Sequence, residues 1–458
     1  MKDNSKRKNN FTQNRAFGSF IILIGISILI SSLIVNPWIG KFWKTDIIYF
    51  YYPMFEYFIW SLILGIIIIV IGFIIFKKGK KFIYNITILL ITISLFLLFD
   101  RFLLVKFGKP IVIVHPETHY KYRPNTIRKW GNGHPYPDKI IKINKYGFHD
   151  DNFPIEKPPG EFRGITLGNS ITMGFGLTHL ETYSNQLEDF LKKFDTKYNS
   201  YQLINAGVQG YSVYQEYQIL KESMKFEPDF VTIGFCMNDI NSPVILSRLL
   251  GGKRIEEYEI MKTTNPLLSY LLNETGFGRL FIMMRRDIKL EESQKLRKDF
   301  DKKYKAWLID LDDCNDVEKA WEYVLSDLEN FYNFIEKNNL YCILLIFPDV
   351  YQFFNERFQK PQRLLKEHAE KYNIDVIDFA NVFENLIRDN VNKISINENR
   401  ELSIEEIKKI YDENLKKYFF DGQHPTSKGN RVIAAKLLEY LDKKEKIELI
   451  VTGGTNSE

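Results

Sequence analysis

Apolar residues are distributed along the chain in two ways. Up to about residue 105 they form long runs with no polar face: Phe17–Val35, Phe55–Phe76 with Glu56 at its mouth, and Phe82–Phe99, closed by Asp100-Arg101. A soluble amphipathic helix breaks such a run with a polar face. The first run has nineteen residues without a charge, and as a helix at ~1.5 Å per residue it spans about 28 Å, close to the ~30 Å of a bilayer's hydrocarbon core. Pro37 follows and ends it. No small-x-small cleavage site follows it either, so it reads as a retained span and not as a signal peptide. The pattern predicts three transmembrane helices.

Beyond residue 160 the apolar runs are short and alternate with helical periodicity. Strands are predicted at Gly164–Leu167, Tyr201–Asn205, Phe230–Phe235, Tyr341–Phe347 and Ile374–Phe379. Helices are predicted near Tyr183–Phe194, Tyr214–Lys225, Val317–Lys337, Pro361–Tyr372, Ile404–Tyr418 and Ser427–Leu441. Strands alternating with helices imply an α/β fold, a mostly parallel five-stranded sheet covered on both faces. Ser242 to about Asp316 breaks the rhythm, and its charge-rich part, Arg285–Lys305, reads as a solvated helix face. Between the two regimes, residues 105–160 are turn-rich, with one alternating segment, Lys139–Asn144, and a boundary at Pro158-Pro159-Gly160. The domain plan is a basic arm (1–16), a membrane anchor (17–104), a connecting segment (105–160), a catalytic-type domain (161–445) and a polar tail (446–458).

Charge adds a topology. The 62 Lys and Arg exceed the 57 Asp and Glu by five. The first sixteen residues carry a net +4, and Lys77, Lys78, Lys80 and Lys81 another +4, leaving −3 for the rest. A basic pI built this way is no argument for a nucleic-acid partner. The loop between the first two runs holds only Lys41 and Lys44. Arm and basic hairpin are therefore placed in the cytoplasm, and everything after about Phe107 outside. The three cysteines, Cys236, Cys314 and Cys342, form no disulfide framework and no zinc pattern, and Cys236 and Cys342 lie in or beside strand-like runs as buried thiols. His115, His119, His134 and His149 cluster in the connecting segment. Prolines and glycines there exclude the helix that would align an i, i+4 metal pair, so they read as solvated loop histidines; no metal or cofactor is expected.

Candidate chemistry sits at the strand ends. The first strand runs into Gly168-Asn169-Ser170-Ile171-Thr172, then a glycine-spaced turn and a helix starting near Glu181; the second into Asn205-Ala206-Gly207-Val208-Gln209-Gly210; the third into Cys236-Met237-Asn238-Asp239. Asp421-Gly422-Gln423-His424-Pro425 precedes the last helix. Parallel strands present their carboxyl ends at one edge, so these loops converge on one crevice. Ser170, otherwise a common helix-capping residue, needs a base to act as a nucleophile; His424 can serve, with Asp421 fixing its tautomer. The N–H groups of Ser170 and Gly207 and the Asn238 amide can form an oxyanion hole.

Gly168-Asn169-Ser170, Gly207, Asn238-Asp239 and Asp421-x-x-His424, in that order, resemble the four blocks of the SGNH (GDSL) hydrolases, over about Phe162 to Leu441. The resemblance implies a flavodoxin-like three-layer α/β/α fold, a Ser170/His424/Asp421 triad and an oxyanion hole from Ser170, Gly207 and Asn238. Asn144-Lys145-Tyr146-Gly147-Phe148 also looks like a segment preceding the catalytic block in membrane-linked bacterial members. Two positions depart from the family pattern: Asn169 stands where it usually has Asp, and Cys236 where it usually has Gly. Thr172 excludes the nucleophile elbow of α/β-hydrolases.

The implied activity is that of a membrane-anchored serine esterase removing O-acyl groups from an extracytoplasmic glycan, lipid or small molecule. Two alternatives stay open: an O-acyltransferase with the same triad, working with a partner membrane protein that supplies the acyl donor, and a non-catalytic glycan-binding protein.

Overall fold

A computed structural model of the chain describes residues 15–29, 47–78, 81–115, 117–131, 134–252, 266–308, 314–398 and 400–448. Most of the basic arm, the end of the first apolar run (30–35), Lys41, Lys44, Lys80 and the end of the tail (449–458) lie outside the described residues. The chain divides into two compact units: Met1–Pro110 with Glu259–Asp287, and Ile111–Tyr258 with Ile288–Glu458.

In the first unit, α1 (Arg15–Leu29), α2 (Ile47–Lys78) and α3 (Lys81–Phe107) carry the apolar runs. Among the described residues, Thr87–Leu104 within α3 is the one stretch long and apolar enough to cross a membrane, and Arg15–Leu29 and Ser61–Lys77 are shorter apolar helices. α1 and α2 meet along glycines spaced by seven. A Cβ on Gly25 would lie 3.0 Å from the Gly65 carbonyl oxygen, and one on Gly72 would lie 3.1 Å from that of Gly18. Backbones this close are a packing mode of helices in lipid, where no hydrophobic effect drives association. Phe20, Leu23, Ile66, Phe73, Leu89 and Phe96 face outward, exposed. The helix α3 does not stop at Asp100-Arg101; the buried Asp100 carboxylate accepts the Phe277 N–H at 2.9 Å, which removes the reason to end there.

The second unit begins with two antiparallel pairs: β1 (Val112–His115) with β2 (His119–Tyr122), and β3 (Thr126–Lys129) with β4 (Ile140–Ile143). Only β4 was signalled by alternation; the others are four residues long and flanked by turns, too short for a periodic signal. Then follow β5 (Glu161–Gly168), α4 (Ser170–Met173), α5 (Tyr183–Phe194), β6 (Ser200–Asn205), α6 (Val213–Ser223), β7 (Phe230–Cys236) and α7 (Pro243–Leu249). Helices α8 (Pro266–Glu274) and α9 (Gly276–Leu308) follow α7 within the interruption of the strand–helix rhythm, and α8 and the start of α9 count with the first unit. The series closes with α10 (Asn315–Lys337), β8 (Tyr341–Phe347), α11 (Lys360–Glu370), β9 (Asp375–Asp378), α12 (Phe379–Glu398), α13 (Ile404–Tyr418) and α14 (Ser427–Lys443).

The five-stranded sheet is parallel, in the order β6-β5-β7-β8-β9. Leu187 of α5, Phe383 of α12 and Leu437 of α14 share one core with Leu203, Leu345 and Phe347 of the strands. α6 lies against β5 and β7, with α10 packed on it. Every residue of β5 and β7 is buried, as expected of inner strands covered on both faces. The chain leaves β5 to one side for β6 and returns on the other for β7, so the order reverses beside β5. The crevice at such a reversal is where open α/β sheets place ligands.

Candidate active site

Gly168 ends β5 with φ +155°, and a Cβ there would stand 2.0 Å from Thr172 Oγ1 and 3.1 Å from the Gly234 carbonyl oxygen. Only glycine fits this turn. Asn169 caps the next turn, its Oδ1 accepting from the Ile171 N–H at 3.2 Å. A first helical turn therefore begins at Ser170, ahead of the helix expected near Glu181. It is a single turn ended by left-handed Gly174, and α5 starts afresh at Tyr183 behind a Thr182 cap. Ser170 is almost wholly buried. Its Oγ lies 2.8 Å from His424 Nε2.

His424 comes from a loop held shut on itself. Phe419 bridges to Pro425, and the Phe420 N–H donates to the His424 carbonyl at 3.1 Å. Asp421 Oδ1 accepts the N–H groups of Gln423 (2.8 Å) and His424 (2.7 Å), and its Oδ2 faces His424 Nδ1 at 2.7 Å. One carboxylate thus shapes the loop and orients the ring. Burial pushes the Asp421 carboxyl up, but the hydrogen bond and charge of His424 and the two backbone donors outweigh it and hold it below its ordinary value. With Nδ1 turned to Asp421, Nε2 is left to accept from a hydroxyl. Phe420 stacks on the imidazole at 5.6 Å and 7°, and Phe175 lies against it at 4.6 Å.

The two departures from the family pattern touch each other. Asn169 Nδ2 points at three acceptors: Cys236 Sγ (2.8 Å), Asn238 Oδ1 (2.9 Å) and Asp239 Oδ1 (2.9 Å). The Cys236 thiol donates to Asn238 Oδ1 at 2.7 Å, and its backbone N–H to Asp239 Oδ2 at 2.9 Å. With its oxygen doubly held, Asn238 presents its NH2 away from the cluster, and that NH2 makes one long contact, 3.4 Å, to Gln423 Oε1. Asp239 is fully buried; burial pushes it up to about 7, against the pull of the Cys236 N–H and the Asn169 NH2. Burial, then the Asp239 charge, pushes the Cys236 thiol up, so it stays a protonated donor.

Gly207 differs from expectation. Its N–H is already taken by Asn205 Oδ1 at 3.1 Å. A Cβ there would stand 2.4 Å from the Met173 nitrogen, so the glycine serves a close approach to α4. Gly210, half-buried at φ +75°, makes no backbone N–H bond among the described residues, and neither does the Ser170 N–H.

Residues outside the sequence motifs brace α4 from behind. Asn205 Nδ2 donates to the Thr172 carbonyl at 2.9 Å, and His149 Nδ1 lies 2.7 Å from that of Met173. Asp150 Oδ2 accepts the Asn205 N–H at 3.0 Å. Burial pushes Asp150 up to about 7, against the Asn205 and Asp151 N–H groups, and lowers His149 to about 4, against its bond to Met173. His149 is thus a fully buried neutral donor, and His115, also buried and with its pKa lowered by that burial, lies with Nε2 2.9 Å from the Glu222 carboxylate, where solvated loop histidines were expected. Trp130 Nε1 donates to the Leu177 carbonyl at 2.8 Å. The segment preceding β5 is therefore part of the site's support. The one sequence signal for it was the run Asn144–Phe148. Among the described residues no three His, Cys, Asp or Glu side chains group as a metal site, and all three cysteines are free and buried.

The profile of the GDSL-like lipase/acylhydrolase family matches residues 165–437, more than half of the chain. The chain belongs to this family. It is by that membership a serine-type ester hydrolase. Similar solved structures include a GDSL-like lipase from Bacteroides thetaiotaomicron (15% identity, covering 62% of this chain and 88% of that one, TM-score 0.30). Others are a psychrotrophic esterase from Pseudoalteromonas sp. (12%, 62% and 98%, TM-score 0.31) and a catalytic mutant of an acetylxylan esterase from Geobacillus stearothermophilus (13%, 61% and 93%, TM-score 0.32). No curated protein matches the sequence significantly.

Proposed function

We propose that this family member is a membrane-anchored serine esterase that removes O-acyl groups from an extracytoplasmic substrate. The observation that carries the reading is the unbroken chain Ser170 Oγ–His424 Nε2 (2.8 Å) and His424 Nδ1–Asp421 Oδ2 (2.7 Å), in a sequence that matches the family across both ends of it. In this reading Ser170 Oγ attacks the acyl carbonyl while His424 takes its proton. The imidazolium that forms is stabilised by Asp421 and then gives the proton to the departing alcohol. Water, deprotonated by His424, releases the acid from the acyl-enzyme. The oxyanion is held by the Ser170 N–H at the start of α4 and by the Asn238 NH2, which Asn169 and Cys236 orient. A third donor comes from the loop after β6, where the Gly207 N–H is committed to Asn205 and that of Gly210 is not. The anchor consists of the three apolar runs, oriented by the flanking lysines and arginines.

The test uses the purified full chain, a short-chain acyl ester and a serine-reactive phosphonate. Ser170→Ala and His424→Ala are expected to lower kcat roughly 10⁴-fold or more, and Ser170→Ala to abolish labelling. Wild-type turnover retained in Ser170→Ala would remove the assignment. Protease added to right-side-out vesicles should cut beyond residue 107; protection of that region would reverse the topology.

A further inference from the structure

The run Asn144–Phe148 has no part in the chemistry above, yet its last four residues line a cavity. Lys145, Tyr146, Gly147 and Phe148 form one wall of a space of about 200 Å³; Lys121, Glu222 and Lys225 also line it. Its floor is apolar, from Val208, Ile219 and Phe226. The three lysines come from three separate places: β2, the turn after β4, and the 3₁₀ turn after α6. None of the three forms an ion pair among the described residues. Two of them are staged on the lining itself: the Lys145 ammonium lies 4.9 Å over the Tyr146 ring and the Lys225 ammonium 5.1 Å over the Phe226 ring. Those two rings pack edge to face at 5.0 Å. The one acidic residue of the lining, Glu222, lies 2.9 Å from Nε2 of His115, whose pKa burial lowers, so the Glu222 carboxylate keeps its charge and is the single counter-charge to the three lysines.

Three ammonium groups facing a single carboxylate, Glu222, leave one concave space with an excess of positive charge and room for an anion. We propose that this cavity binds a phosphate ester: the lysines take the phosphate oxygens and the floor takes the organic body. A phosphate suits three point charges arriving from different directions, since it offers acceptor oxygens on every side. The site is separate from Ser170 and does not depend on the esterase reading. Two sources share this chemistry, a soluble phosphate monoester and the headgroup of an anionic phospholipid.

Binding is measured on the full chain in zwitterionic detergent, by calorimetric titration and by unfolding midpoint. The probes are glycerol 3-phosphate, dihexanoyl phosphatidylglycerol, and dihexanoyl phosphatidylcholine as the zwitterionic control. Tighter binding of glycerol 3-phosphate assigns a soluble ester, and tighter binding of the glycerol lipid over the choline lipid assigns a headgroup. Each of Lys121→Ala, Lys145→Ala and Lys225→Ala should weaken the preferred probe about fivefold, and the triple variant roughly a hundredfold, with the wild-type affinity falling as salt rises. Ser170→Ala should bind as wild type does. These are surface lysines, and an unchanged circular dichroism spectrum checks each fold. Equal affinity in the triple variant and wild type, or no binding of either anionic probe to wild type, overturns the proposal.

Discussion

Replacing Asn169 by aspartate restores the family's usual residue and, on this structure, should damage the protein in a pH-dependent way. The substitution exchanges an NH2 for an oxygen where three acceptors meet, at 2.8 to 2.9 Å from Cys236, Asn238 and Asp239. The new carboxylate would face Asp239, which is fully buried and already pushed up to about 7 by that burial. Two unit charges ~4 Å apart at an effective dielectric constant of 20 repel by about 4 kcal/mol. A proton shared between the two carboxyls removes the repulsion and restores a hydrogen bond. A carboxyl whose folded pKa is raised contributes stability that is present below its unfolded pKa and lost as pH rises through the folded one. The variant should therefore lie within about 1 kcal/mol of wild type at pH 5 and about 4 kcal/mol below it at pH 8. That is on the order of 10 °C in unfolding midpoint. The assay is thermal unfolding of both proteins in one detergent across that range, followed by near-ultraviolet circular dichroism. A constant offset at every pH, or a variant more stable at pH 8, would refute the placement of Asn169 against Asp239.

Four further outcomes are expected. Asn238→Ala should lower kcat about 10²- to 10³-fold with little change in KM, since the proposed mechanism sets its NH2 against the developing oxyanion; equal losses in binding of a ground-state analogue would contradict this. Cys236→Ser keeps a donor to Asn238 and should retain most activity, whereas Cys236→Ala should lose several-fold in kcat; identical kinetics for the two would remove the thiol's role in orienting that amide. Trp130→Ala deletes both the bond to the Leu177 carbonyl and the 5.4 Å contact with Phe175, and should cost about 3–5 kcal/mol, seen as a lower unfolding midpoint. In wild type, Asp150 and Asp239, both pushed up to about 7, should make stability fall as pH rises from about 4 to about 7; a rise across that window would contradict their burial as carboxyls.

The three inner strands β5, β7 and β8 were legible because they are covered on both faces: Ile343–Ile346 reads as a continuous apolar run, and Thr166 alone interrupts Ile165–Leu167, between helical periods. Ser170, His424 and Asp421 were legible because each stands in a short run whose glycine or proline marks a loop at a strand or helix end. What could not be read is what long-range packing decides. Nothing local distinguishes His149 from a solvated loop histidine; its burial follows from how residues 144–153 lie behind α4. The N–H of Gly207 looked available because its competitor, the Asn205 side chain two residues away, becomes one only in the turn the loop adopts. Asn169 and Cys236 each looked like a lapse, and their meeting across 67 residues is visible only in three dimensions.

In the proposed mechanism the nucleophile and its base are 254 residues apart, and this separation orders events in time. A ribosome releases Ser170 long before it reaches His424, and α14, on which the His424 loop rests, comes later still. Until that helix docks, through the Asn430 side chain on the N–H of Tyr183, the serine has no partner to activate it. On that mechanism the growing chain carries its nucleophile unarmed through synthesis, and reactivity toward a phosphonate becomes a readout of completed folding.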